Sequence, residues 1–214
     1  MIKFYRPILA LGLALSGIVA GTALIAPAPA VAGTKGYEFL KALRSGDSGK
    51  AQELLGDNPS LIINTKDDGT GETALHIMVG KGDTAWTGYL LKTGANANSV
   101  DRERNTPLMV AATDGFDDGV ELLLYFKAQV DLTNRKGETA LILATKFKRT
   151  EAMKALLKAG ANPDKSDYSG FSARAYAEQY GRDNRYLSLI QSGGKDATGD
   201  SKTGTDGLDF SGVK

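Results

Sequence analysis

The chain has 214 residues, 42% hydrophobic and 24% charged, with 26 basic side chains against 25 acidic ones. That composition is too apolar for a disordered chain and too evenly charged for long-range attraction to nucleic acid or an anionic membrane. The absence of cysteine excludes disulfides, thiolate catalysis, cysteine zinc sites and a lipidated cysteine.

Residues 1–32 read as a signal peptide. Lys3 and Arg6 form a basic start, no further charge occurs before Lys35, and Ala30-Val31-Ala32 offers an A-x-A site ahead of Gly33. Pro27 and Pro29 are expected to end a helix there. Removing Lys3 and Arg6 leaves 24 basic residues against 25 acidic ones, so the mature chain is nearly neutral. The expected location is the bacterial periplasm or the medium. An uncleaved inner-membrane anchor is the alternative, because the apolar run is long enough to span a bilayer.

Residues 33–66 read as a degenerate first unit of two helices with a polar outer face. Units follow at 67–99, 100–132 and 133–166, then a closing unit at 167–191 and a tail at 192–214. Thr73, Thr106, Thr139 and Ser172 recur at a stride of 33 residues and are placed to cap a first helix. Leu75, Leu108 and Leu141 keep the same stride, as do the doublets Leu90-Leu91, Leu123-Leu124, Leu156-Leu157 and Leu189-Ile190. Gly82, Gly115 and Gly181 punctuate the first helix, and Gly94 or Gly160 the second. A helix pair of this size cannot bury its own apolar face, so the units must stack. The tail is rich in Gly, Ser, Thr, Asp and Lys and reads as disordered, with Leu208, Phe210 and Val213 as a possible docking motif.

The elements "TALH", "TPLM" and "TALI", with the endings "LLKTGANAN" and "LLKAGANPD", resemble the ankyrin repeat over residues 67 to 191. The resemblance implies an all-α solenoid of about five helix pairs joined by hairpin-like loops. It also implies that His76 bonds the backbone of the neighbouring loop, and that partners bind on the loop tips and the concave first-helix face. Several residues depart from the pattern. Arg104 and Lys127 stand where turn glycines are expected, and Gly119 occupies a column filled by Trp86. Arg174 replaces the column leucine and would solvate the end of the stack.

Little in the sequence supports chemistry. His76 is the only histidine, and "GDSGKAQ" lacks the glycine spacing and the hydroxyl of a phosphate loop. Asp67-Asp68 and Asp117-Asp118 read as solvated turn charges. The expectation is a non-catalytic, cofactor-free protein-binding scaffold, monomeric alone, with no nucleic-acid partner and no membrane contact after cleavage. A haem- or metal-binding stress-defence accessory and a host-directed effector are the alternatives. Column by column, the expected partner-binding residues are Arg102, Glu103, Asn105, Thr113 and Asp114 from the second repeat. The third contributes Arg135, Lys136, Glu138, Lys146 and Phe147, and the closing unit Tyr168, Phe171 and Tyr180. Aromatic and Arg/Lys side chains together are the composition of an interaction hot spot.

Overall fold

A computed structural model describes residues 29–56, 58–181 and 184–194, with side chains from residue 35. The basic start at Lys3 and Arg6 and the tail motif at Leu208, Phe210 and Val213 lie outside them. Five helix pairs follow one another: α1 (Pro29–Ser45) with α2 (Ser48–Leu55), α3 (Ala74–Gly80) with α4 (Thr84–Lys92), and α5 (Pro107–Asp114) with α6 (Asp117–Tyr125). The last two are α7 (Ala140–Lys146) with α8 (Thr150–Lys158), and α9 (Ala173–Glu178) with α10 (Arg185–Gln191). First helices pack on first helices from α1 to α9, and second helices pack in a parallel row from α4 to α10. This is an all-α repeat solenoid. Among the described residues no strand forms; two isolated bridges, Lys66 with Thr73 and Ser166 with Ser172, close hairpin-like loops. No helix of the described residues is long and apolar enough to cross a membrane.

The 33-residue columns explain the packing. Leu75, Leu108 and Leu141 lie fully inside, with Leu90, Leu123 and Leu156 behind them. Each Leu column forms one layer of a continuous core. Thr106, Thr139 and Ser172 hydroxyls accept the amide three residues on, at 3.3, 3.2 and 3.2 Å, which fixes where α5, α7 and α9 begin. Pro29 opens α1, where a proline loses no hydrogen bond because the N–H at the first helical position has no intrahelical partner; the helix expected to end at Pro27 and Pro29 lies outside the described residues.

Three of the repeats also satisfy carbonyls that the preceding first helix leaves open at its C-terminus. Lys81 donates to the Leu43 and Arg44 carbonyls at 2.8 and 2.7 Å, capping α1. The Arg149 Nε donates to the Thr113 carbonyl at 2.9 Å, capping α5. The Tyr180 hydroxyl donates to the Lys146 carbonyl at 3.1 Å, capping α7. These carbonyls carry the negative end of the helix dipole, so the two cationic caps gain twice.

Two of the expected departures take the backbone they imply: Arg104 and Lys127 have φ of 63° and 62°. A third escaped the sequence reading. Lys148 has φ of 58° in the column that Gly82, Gly115 and Gly181 occupy. Gly119 needs a different account. A methyl group there would overlap the Phe116 ring, which lies across the site that Trp86 fills in the preceding repeat. Trp86 is half-buried, edge-on to Tyr89 at 5.4 Å, rather than a core side chain.

Candidate functional site

The hairpin tips stack on one another through their backbones. Arg102 N–H donates to the Thr70 carbonyl at 2.9 Å, Arg135 N–H to Glu103 at 2.9 Å, and Tyr168 N–H to Lys136 at 3.0 Å. Inside each loop an Asp or Asn side chain gathers the amides. Asn134 Oδ1 takes the Lys136 and Glu138 N–H groups at 2.9 Å each, and Asp167 Oδ1 takes those of Ser169 and Phe171 at 2.9 and 3.0 Å. The tips are therefore fixed before any partner arrives.

Between α5 and α7, below these tips, runs a groove of about 380 Å³. Eight of the thirteen expected partner-binding residues line it: Glu103, Asn105, Thr113, Asp114, Arg135, Lys136, Glu138 and Phe147. Its floor is Met109, Val110 and Leu143, with Asn134 on one wall. The sequence reading missed these four. Asn134 was findable, because Asp101, Asn134 and Asp167 form a 33-residue column of their own.

Three of the expected contact residues are corrected in character. Glu138 is buried, not exposed. Its Oε2 accepts from Asn134 Nδ2 at 2.9 Å and its Oε1 from Lys146 Nζ at 2.5 Å. Burial alone would push the Glu138 carboxyl up, but the Asn134 and Lys146 hydrogen bonds outweigh it and hold the group below the ordinary carboxylate range. Lys146 is half-buried, and its ammonium also sits 5.2 Å from the centre of the Tyr176 ring. Asn105 is half-buried. Its Oδ1 accepts from Asn134 Nδ2 at 3.1 Å, and its own amide donates to Asp101 Oδ2 at 3.0 Å. Tyr176 completes the series by donating to Asp167 Oδ2 at 2.8 Å, and burial followed by that hydrogen bond pushes its phenol up to about 12. A polar ladder thus runs from Asp101 to Asp167 across three repeats, and its Asn105, Asn134 and Glu138 line the groove.

The remaining expected residues stand free of the core. Arg102, Glu103, Asp114, Arg135 and Lys136 are exposed, and Thr113 is half-buried with its hydroxyl bonded back to the Met109 carbonyl at 2.8 Å. Arg102 also reaches the Asp68 carbonyl with one guanidinium nitrogen. All four expected aromatics are open to solvent: Tyr168 by 79%, Phe147 by 51%, Phe171 by 42% and Tyr180 by 37%. Phe171 and Tyr180 are each half-engaged, against Tyr176 and Tyr186 at 5.5 Å.

The other motifs of the sequence have structural duties. His76 accepts the Thr73 N–H on Nδ1 at 3.2 Å, so its Nε2–H donates to the Asn105 carbonyl at 3.0 Å. Burial pushes its pKa down, which keeps the ring neutral. Asp67 is no free turn charge. It pairs with Arg44 at 2.6 Å and is held far below the usual carboxylate range by that hydrogen bond. Asp117 and Asp118 occupy the first turn of α6 rather than a loop. Arg174 forks onto Asp164 at 2.6 and 3.1 Å. Among the described residues no three His, Cys, Asp or Glu side chains cluster closely enough to hold a metal ion.

Comparison with known proteins agrees with this architecture. A family model described as ankyrin repeats (3 copies) matches residues 39–134 and 114–198. The E3 ubiquitin-protein ligase XBAT33 of Arabidopsis thaliana is 35% identical over 95 residues, which is 44% of this chain and 18% of that protein. The chain therefore spans less than a fifth of that relative's length. With the matched model covering more than half of its residues, the chain belongs to the ankyrin-repeat family.

Proposed function

We propose that this protein is a non-catalytic adaptor that holds a partner protein in the α5–α7 groove and on the adjoining hairpin tips. One observation carries the reading: a groove with an apolar floor, flanked by exposed Phe147 and Tyr168, is built on loops whose hydrogen bonds are already made. A preformed site loses little ordering entropy on binding, and exposed rings supply anchors at low rotamer cost. The only histidine is occupied on both nitrogens, which takes it out of acid–base work. The ligase activity named for the plant relative is a property of that protein, of which this chain matches a small part. The basic start and A-x-A site favour work outside the bacterial cytoplasm, in the periplasm or the medium.

The test is site-directed photo-crosslinking in the producing cell. A crosslinker at Phe147 or Tyr168 is expected to trap one recurring protein, and one at Tyr125, on α6 of the second-helix row, is expected to trap none. Phe147→Ser with Tyr168→Ser should abolish the crosslink to a neighbouring groove position while moving the thermal midpoint little. Equal trapping at Tyr125, or a large loss of stability in the double variant, refutes the groove as the binding face. Mass spectrometry of the mature N-terminus tests export: a start at Gly33 is expected, and an intact Met1 overturns it.

A further inference from the structure

We infer that the groove's partner is an acidic protein segment carrying an apolar or aromatic side chain between its carboxylates. This rests on the adaptor reading above and specifies the chemistry of the visitor. The observation behind it is an imbalance of charge on an otherwise neutral chain. The tips present Arg102, Arg104, Arg135 and Lys136, all exposed, against exposed Glu103 and Asp68. Among the described residues, the Arg135 and Lys136 side chains make no ion pair, and both line the groove. Lys148 and Arg149 extend the basic surface past the lower end of α7, next to Phe147.

Part of the negative charge is gathered elsewhere. Asp117, Asp118, Glu121 and Glu151 lie on α6 and α8, in the second-helix row. Burial followed by mutual repulsion pushes Asp117 and Glu121 up, so these carboxylates are crowded. A net charge near zero hides this separation, and a local field of one sign steers association within about 8 Å at physiological salt.

Three occupants compete for a groove whose rim is rich in exposed cations and whose lining sets Arg135 and Lys136 beside Glu103, Asp114 and the Lys146-paired Glu138, and the walls choose between them. Glu103 and Asp114 line the groove among the cations, so a continuous phosphate backbone would meet a carboxylate at each end. A peptide can alternate: carboxylates to Arg135 and Lys136 at the tip, an apolar side chain to Val110, Leu143 and Phe147 below. A second copy of this chain could offer the carboxylates of α6 and α8, but Lys154 and Lys158 lie among them on α8 and Lys154 already pairs with Glu151. That contact is heterologous, and unless its rotation closes a ring it propagates into open chains.

The experiment selects random linear peptides displayed on phage against the full-length chain, then measures labelled winners by fluorescence anisotropy. Parallel titrations use Arg135→Glu/Lys136→Glu, Arg135→Gln/Lys136→Gln, Phe147→Ser, single-stranded DNA and phosphatidylglycerol vesicles. Both cations are exposed, so the folding of the variants is checked by circular dichroism and is expected to persist. The expected winners are acidic with an aromatic or branched apolar residue. They should weaken roughly tenfold or more on charge reversal, less on neutralisation, and further as salt rises. Uncharged or basic winners, indifference to charge reversal, or equally tight binding of DNA or vesicles overturns the inference. Should uncharged winners still depend on Phe147, the groove reading survives and this one falls. Winners indifferent to Phe147→Ser sink both.

Discussion

Glu138 and Lys146 face each other at 2.5 Å with unequal access to water: the side chain of Glu138 is 5% exposed and that of Lys146 is 34%. The inequality predicts an asymmetry between two mutants. Lys146→Met leaves a buried carboxylate with Asn134 and no cation, which should cost about 2 kcal/mol. Glu138→Gln keeps an acceptor for Lys146 and lets the lysine turn to solvent, so about 1 kcal/mol or less is expected. Urea denaturation at neutral pH gives both values. In Lys146→Met the Glu138 carboxyl should rise above its unfolded value, so that variant recovers part of its deficit as the pH is lowered towards 5. The reverse order of the two costs would show that the pair contributes through packing and not charge.

His76 sets a second pH response. Burial lowers its folded pKa below the unfolded value of about 6.5. Above that pH both states are neutral and stability is flat. Below it the unfolded chain takes a proton that the folded chain refuses, so stability falls with pH by up to about 1.4 kcal/mol per unit. Asp67, Glu138, Asp164 and Asp167, all held low, add their own loss only further down, as pH drops through the carboxylate range. Asp117 and Glu121, both raised, act in the opposite sense. The interval from pH 6.5 to about 5.5 therefore belongs chiefly to His76, and His76→Gln should flatten the stability profile there. A slope that survives the substitution would assign the titration to another group.

These two examples mark what could be read in the sequence. The stride of 33 and its Thr, Leu and Gly columns express local rules, namely capping, helical periodicity and positive φ, which a single chain displays openly. The exposure of Phe147 and Tyr168 followed from the same columns. The ladder through Asn105, Asn134, Glu138 and Lys146 did not, because it depends on which rotamers meet once the hairpins stack. A charged residue at a loop column reads as surface until the neighbouring repeat covers it. Lys148 is a different omission: three glycines in its column already advertised the left-handed backbone.

Lys127 carries that strain in its simplest form. It has φ of 62° in a column where Gly94 and Gly160 adopt 100° and 88°. Its side chain is exposed, so Lys127→Gly removes the Cβ penalty and little else. A gain of about 1 kcal/mol is expected, read as a higher denaturation midpoint with an unchanged slope. Lys148→Gly should gain less, because the Lys148 ammonium lies 4.5 Å from the centre of the Tyr180 ring and that contact is lost. Equal gains at both sites would mean the ring contact contributes nothing.

Phe116 and Gly119 should behave as one unit. The first full repeat caps its second helix with Asp83, whose Oδ1 accepts the Trp86 N–H at 2.8 Å, and Trp86 fills the space alongside. The next repeat puts Phe116 at the cap position, with no side-chain cap, and its ring lies over Gly119. Gly119→Ala in the natural chain drives a methyl group into that ring and should destabilise, although alanine is the better helix former by about 1 kcal/mol. Phe116→Ala alone should also destabilise, by exposing the Cα of Gly119 and emptying the space above it. Combined, the alanine at 119 meets no ring and its helix propensity is recovered, so the double variant should be more stable than the sum of the singles by about 1 kcal/mol or more. A double-mutant cycle by urea denaturation measures this coupling directly. Additive costs would show that the ring can swing aside, and that the glycine is not there to make room for it.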